Sequence, residues 1–260
     1  MSNISFMYRN LAENPYAIVD IIGTSNTDFG TNRIADNNLQ SYWASNSVGT
    51  IASILFDMGS SVWADSFIVV HNLPVVNTEP SAGTYTLYLN AGNTNPPTTS
   101  TYYLSNPASL GTSMYYGTAV NYRYFRLLSY GTSFNEQTKF NEVFIGQRDN
   151  FSINPEYPLG HELDSSTIVT ESEKGQKRVY HKYSRNRWNF KYSAIDDAMW
   201  GTMRKIRSYC GGSYKPFFFC IDSDDNKFAT YFVRFGKNSF KHSEINYGIH
   251  DVSFELIEEL

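Results

Sequence analysis

Residues 121–146 read NYRYFRLLSYGTSFNEQTKFNEVFIG, two runs of alternating character around a loop rich in Gly, Ser and Asn. Tyr122, Tyr124, Arg126 and Leu128 fall at alternate positions of the first run, and Val143 and Ile145 keep the same beat in the second. A period of two with aromatic and β-branched residues is the pattern of a half-buried strand. Outward from this stretch, short apolar runs recur at Ile18–Ile22, Ile51–Phe56, Ser66–Val70 and Thr84–Leu89, separated by Gly/Asn/Ser/Pro clusters. From Asn14 to Gln147 no helical period emerges, and such spacing predicts an all-β sandwich or barrel. Asn90–Ser100 is predicted as a loop, because Pro96 and Pro97 cannot pair inside a sheet.

The chain has 260 residues, 41% hydrophobic, 18% charged and 16% aromatic, with net charge −4. An aromatic fraction carried by Tyr and Phe favours strands, and the negative balance speaks against nucleic-acid binding, which needs a basic footprint. Residues 1–150 hold six Lys/Arg against ten Asp/Glu, whereas 151–260 hold fifteen of each, which predicts two differently surfaced domains. No apolar run approaches a membrane span. The start, MSNISFMYRNL, has no basic leader and apolar core, so synthesis in a cytoplasm without a signal peptide is expected. Cys210 and Cys220 are expected to be reduced and structural.

The first half resembles the discoidin-like, or coagulation-factor type C, family. The resemblance rests on Asp36-Asn-Asn-Leu-Gln-Ser-Tyr-Trp43, Ile54-Leu-Phe-Asp57-Met-Gly59, Tyr122-Arg-Tyr-Phe-Arg126-Leu and Asn141-Glu142-Val-Phe-Ile-Gly146, four segments in order. Ala64–Leu73 is similar to a variant strand common in phage virion proteins. The resemblance implies a galactose-binding-like jelly roll. Trp43 then reads as an indole folded back onto the sandwich, with stacking on a sugar ring as the alternative. Arg126 is expected in a half-buried ion pair with Asp57 or Glu142, and His71-Asn72 in a strand-end turn. Glycan-binding members use loops at one end of the sandwich. The candidate glycan contacts are Tyr42, Trp63, Asn93, Tyr115 and Tyr116, since aromatic faces beside amides suit sugars.

In the second half, Arg148–Gly175 turns polar and reads as a linker or wandering arm. Trp188, Phe190 and Tyr192 share one face of a strand. Ser193-Ala-Ile-Asp196 fits a capping box opening a helix whose stripe is Ile195, Met199, Met203, Ile206 and Cys210. Arg204, Lys205 and Arg207 match its dipole, and Gly211-Gly212 ends it. The turn Asp222-Ser-Asp-Asp-Asn226 fails as a calcium loop, having Lys227 and Val233 where Gly and Glu belong. The order of the Trp188 strand, the helix, Lys215-Pro-Phe-Phe-Phe-Cys-Ile-Asp222, the Arg234 strand and Val252-Ser-Phe-Glu-Leu-Ile-Glu-Glu-Leu260 resembles a phage tail domain. It is similar to the β-barrel-plus-helix block of tail-tube, distal-tail and minor tail proteins, which assemble into rings by extending sheets across subunits. The terminal strand, apolar on one face and acidic on the other, is the expected edge for that pairing.

The expected architecture is mainly β: a galactose-binding-like β-sandwich over 1–148, a linker or arm over 149–176, and a small α+β tail-tube-like β-barrel over 177–260 with one helix at about 193–210. No catalytic motif is recognisable and no cofactor or metal is implied; nothing in the sequence places Asp57 and Glu142 at the separation of a glycosidase pair, and Glu258-Glu259, adjacent in a predicted strand, point to opposite faces. The resemblances together imply a ring-forming distal-tail or tail-adaptor protein of a phage virion. A hexamer is the common form of such rings. Its jelly roll would dock tail fibres or host-surface polysaccharide, and its partners would be itself and other tail proteins. The alternative is a lectin-like protein with a C-terminal oligomerisation domain.

Overall fold

The computed structural model describes residues 4–22, 30–48, 51–72, 85–97, 99–104, 111–131, 137–171, 176–223 and 226–259. It is mainly β with one helix, as the sequence predicts. The strands are β1 (Ser5–Met7), β2 (Ala17–Ile22), β3 (Trp43–Val48), β4 (Ile51–His71), β5 (Tyr85–Gly92), β6 (Ser100–Tyr103), β7 (Gly111–Gly131) and β8 (Gln137–Gly146). They continue with β9 (Asp149–Asn150), β10 (Gly160–Glu171), β11 (Lys177–Asp196), helix α1 (Asp197–Tyr209), β12 (Phe217–Asp222), β13 (Asn226–Phe235), β14 (Lys241–Asn246) and β15 (Ile249–Glu258). Part of the predicted Asp222–Asn226 turn and of the Asn90–Ser100 loop lies outside the described residues.

Strands β2–β8 form a seven-stranded sheet that folds over itself into a sandwich. The two long strands make both layers. Residues 51–57 of β4 pair with 124–130 of β7, and residues 62–71 pair with 111–122, with a bulge between. The bulge opens at Gly59, whose φ of +73° suits glycine and whose N–H donates to Asp57 Oδ1 at 2.8 Å. β8 and then β3 extend the layer made by the second half of β4; β2 and β5–β6 extend the other. Trp43, Ile54, Phe56, Phe67, Leu89, Phe125, Leu127, Phe140, Val143 and Ile145 fill the space between. Trp43 is fully buried and stacks on Phe140 at 5.4 Å, the structural role expected of it. Asn72 exchanges hydrogen bonds with Lys139 and the carbonyl of Gln137 across the sheet; the rest of the strand-end turn expected at His71-Asn72 lies outside the described residues.

The other strands form an eight-stranded sheet in the order β10-β11-β15-β13-β12-β1-β9, with β14 on β15. It wraps an aromatic core of Phe6, Trp188, Phe190, Tyr192, Phe217, Phe219, Phe235 and Phe254, closed by Met199, Met203 and Ile206 of α1. The partition at residue 148 therefore differs from the expected one at its start. Ser5–Met7 pairs with β12, and Phe6 stacks on Phe151 at 4.6 Å among Phe217, Phe219 and Phe254, so the first strand belongs to the second sheet.

Three other expectations are corrected. α1 is capped by Asp196, whose Oδ1 accepts from Met199 N at 2.8 Å, not by Ser193. β11 continues pairing with β15 as far as Asp196, and the Ser193 hydroxyl bonds Glu156 instead. Within the span expected as linker, Gly160–Glu171 is β10, paired along its whole length with β11. The terminal β15 is no edge: β11, β13 and β14 all pair with it. Its acidic residues are matched, Glu255 by Arg187 at 2.6 Å, Glu258 by Asn186 and Glu259 by Arg234.

The two sheets meet face to face. Ile68, Met114 and Phe144, on the outer face of the β4/β7/β8 layer, pack on Met7, Phe218, Cys220 and Phe232. That layer is consequently buried on both faces, which explains the continuous burial of residues 66–69 and 142–146. Cys210 lies in the aromatic core and Cys220 in the seam, neither in a disulfide, and burial pushes the Cys210 thiol up to about 12. Phe144→Ala is expected to cost about 3–5 kcal/mol, with both sheets unfolding in one transition by urea denaturation. A loss within ordinary surface-substitution range would show that the sheets do not depend on each other.

Candidate functional site

Two chain crossings join the sheets side by side. Tyr8 and Arg9 lead out of β1 towards the sandwich, and Gln147 and Arg148 lead back from β8 into β9, which itself pairs with β1. Their closeness depends on Gly146, where a Cβ would stand 2.5 Å from the Arg9 carbonyl oxygen and 2.7 Å from the Phe144 ring. Asn10 locks the crossing. Its Oδ1 accepts from Ala12 N at 3.0 Å and Ile145 N at 3.1 Å, and its Nδ2 donates to Val143 O at 2.8 Å and Glu142 Oε1 at 3.2 Å.

The crossings wall a cleft of roughly 650 Å³, lined also by Leu11, Val62, Trp63, Asp149 and Lys205. Trp63, carried at the β4 bulge, is 56% exposed. Arg148 is held by its own backbone N–H, which donates to Asp65 Oδ1 at 2.9 Å, and by Nη2, which donates to Gly117 O at 3.2 Å. Its guanidinium lies 5.2 Å from the Tyr116 ring centre. Burial, and then the hydrogen bond with the Asp149 carboxylate, push the Tyr8 phenol well above its ordinary pKa. The Tyr8 ring is fixed edge-on against Tyr209 of α1 at 5.5 Å.

Beside this cleft sits a buried carboxyl. Glu142 is 1% exposed, and its Oε2 accepts from Asn37 N at 3.0 Å. Burial pushes its pKa well above the ordinary 4.5, and the Asp36 and Glu13 carboxylates add to the rise; the bonds from Asn37 and Asn10 offset part of it. Glu13 itself pairs with Lys215, a tie between the sandwich and the loop after α1.

The five candidate glycan contacts do not converge. Only Trp63 opens on the cleft. The Tyr42 ring lies 5.0 Å from Lys139 Nζ. Asn93 is exposed, and its Oδ1 is spent accepting from Ser61 Oγ at 3.1 Å and Arg123 N at 3.0 Å, bracing the bulge. Tyr115 and Tyr116 are neighbours in β7 and point to opposite faces. Tyr115 packs inward on Tyr102 and Phe67, and Tyr116 turns into the seam, where its hydroxyl meets Thr230 Oγ1 at 2.7 Å. Asp57 pairs with Arg123, at 2.8 and 2.9 Å, not with Arg126, whose Nε donates to Ser53 Oγ at 2.6 Å. The Arg123 guanidinium holds the Asp57 carboxyl below the usual carboxylate range. With Glu142 tied to Asn10 and Asn37, the two carboxylates have separate partners. Sequence reasoning missed Tyr8, Arg9, Arg148 and Lys205. They come from segments far apart in the chain, and Lys205 was explained by the helix dipole alone.

Among the described residues no group of three or more His, Cys, Asp or Glu could hold a metal ion, and no helix is long and apolar enough to cross a membrane. No protein-family model matches the sequence, and no curated protein matches it. Solved structures resemble the first half of the chain. Chitosan-binding module 1 from the chitosanase/glucanase of Paenibacillus sp. IK-5 is 16% identical, with a TM-score of 0.42 over 53% of this chain and 98% of the module. The Clostridium perfringens module CpGH89CBM32-6 is 17% identical, with a TM-score of 0.38 over 53% of this chain and 98% of that one. A GH29 fucosidase of Ruminococcus gnavus is 12% identical with a TM-score of 0.42, the match covering 54% of this chain and 27% of the enzyme.

Glu142 gives this region a pH signature. Its folded-state pKa exceeds its unfolded value, so its contribution to stability is complete below about pH 4.5 and is lost as pH rises through the folded pKa. In thermal unfolding, Glu142→Gln should therefore gain on the native protein steadily as pH is raised from below that value to neutrality. A difference in Tm independent of pH would contradict the assignment.

Proposed function

We propose that this chain is a structural, ring-forming component of a multi-subunit assembly, of the distal-tail or tail-adaptor class of a phage virion, and that its sandwich serves as a carbohydrate-binding module. One observation carries the assembly reading: the β10–β11 hairpin reaches beyond the body with nothing covering it among the described residues. Its cross-strand pairs put Ile168 with Tyr180 on one face and Val169 with Val179 on the other, and all four side chains are exposed. A two-stranded ribbon with an exposed apolar pair on each face is marginal in water and gains stability by acquiring a partner. The free edge of β10, 12 residues long, supplies unpaired backbone groups for it.

The root of the arm is fixed. Asp164 Oδ2 accepts from Arg185 Nε and Arg187 Nη2, each at 3.0 Å, and the two guanidinium groups, Arg187 foremost, hold its carboxyl below the usual range. Arg187 also reaches Glu255 of β15, so the arm leaves the body in a set direction. The virion setting is supported by the order of sequence motifs from Trp188 to the C-terminus. The carbohydrate-binding role is supported by the jelly-roll motifs and by the exposed Trp63.

Light scattering and electron microscopy of the purified protein test the assembly. A closed ring is expected, and replacing residues 165–182 by a tight turn should give a folded monomer. A native protein that stays monomeric at the highest attainable concentration, or an armless variant that still forms rings, would refute the role given to the hairpin. Antibody labelling of virions tests the setting; absence from the tail would refute it.

A further inference from the structure

We infer that the cleft between the two sheets binds an acidic oligosaccharide, with Trp63 as the stacking platform and Arg9, Arg148 and Lys205 as the anion-recognising groups. This deepens the carbohydrate-binding reading above and rests on it. Charge is the first argument. The lining carries three cations, Arg9, Arg148 and Lys205, against a single carboxylate, Asp149. That carboxylate is already engaged by the Tyr8 hydroxyl. A net positive cleft in a chain of net charge −4 is a local reversal of sign, and a concave site focuses that field.

Availability is the second. Several cations elsewhere are matched, Arg123 by Asp57, Arg187 by Asp164 and Glu255, Arg234 by Glu259. The side chains of Arg9 and Lys205 are exposed and make no hydrogen bond or ion pair among the described residues. Arg148 is oriented by the Gly117 carbonyl, the Tyr116 ring and an ion pair with Asp65, Nε to Oδ1 at 3.8 Å, which leaves Nη1 without a hydrogen-bond partner among the described residues. A guanidinium held in this way is preorganised for a carboxylate or sulfate.

Shape is the third. At roughly 650 Å³ the cleft has the size of an ordinary small-ligand site and admits a short oligosaccharide. The exposed Trp63 indole offers a flat apolar surface to the C–H face of a sugar, and the Gln147 amide can both donate to and accept from ring hydroxyls. The site draws on both sheets: Trp63 comes from the sandwich, Lys205 from the helix on the other sheet, and Arg9 and Arg148 from the crossings between them.

Titration calorimetry with the full chain tests this, using tetragalacturonate, sialyllactose and a heparin tetrasaccharide as acidic probes and maltotetraose as the neutral control. At least one acidic probe should bind, more weakly as salt is raised. Trp63→Ala should weaken it about tenfold, and Lys205→Gln and Arg9→Gln each by about threefold or more, with the oligomeric state of every variant unchanged. Equal binding of maltotetraose, an affinity indifferent to all three substitutions, or complete displacement by inorganic sulfate at equal concentration would overturn the inference. Neutral-sugar binding that survives Trp63→Ala would overturn the cleft and leave the carbohydrate-binding module standing. No binding of any of these sugars would remove both, while the ring, measured on the same samples, would still stand or fall on the arm.

Discussion

Everything in this molecule hangs on a layer of strands that is covered on both sides. Phe67, Val69, Val143 and Ile145 face the interior of the sandwich, and Ile68, Met114 and Phe144 face the aromatic sheet built by the other end of the chain. A layer of this kind cannot be solvated on one side without exposing large side chains, each worth about 1.5–3 kcal/mol of burial. The relation between the sheets is thereby fixed as firmly as a core. The polar groups trapped at the margin obey the same constraint. Asn10 uses both its donors and both its acceptor sites, and Glu142 accepts from two separate nitrogens.

Charge is distributed with a corresponding logic. On the aromatic sheet, arginines sit across the strands from carboxylates, and Arg187 bridges Asp164 and Glu255. Such pairs contribute little to stability at a half-exposed surface, but they set direction, and here they aim the hairpin. In the cleft Arg148 is held beside Asp65, while Arg9 and Lys205 have no such counterpart among the described residues. The same residue type is structural in one place and available in the other, and only the surroundings tell them apart.

Much of the fold was legible from period and punctuation. The runs at 51–56, 66–70, 122–129 and 142–145 are strands, the Trp43 indole is in the core, and the stripe of Met199, Met203 and Ile206 is the buried face of a helix. What escaped has physical causes. β1 and β9 are three and two residues long and are strands only because distant partners pair with them. β10 reads as a polar linker because nothing among the described residues covers it, so no apolar period is imposed. The acidic face of β15 looked like a free edge because its matching arginines lie in other strands. Of the candidate site, Trp63 was found from its type, but Arg9, Arg148 and Lys205 meet it only through the crossing of chains. Tyr116 could have been excluded in advance, since adjacent strand residues cannot share a face with Tyr115.

The pairing of β1 with β9 says something about modularity. Ser5 stands opposite Asn150 and Phe6 opposite Asp149, so these two short strands are the legs of a hairpin. Where a hairpin ordinarily turns in a few residues, this one carries the whole sandwich as its loop. Entry and exit lie next to each other, as a cassette requires. The aromatic sheet thus offers a socket into which modules of different surface chemistry can be exchanged while its strand order is preserved. The condition is that the incoming module bring its own apolar face to cover Phe218 and Phe232.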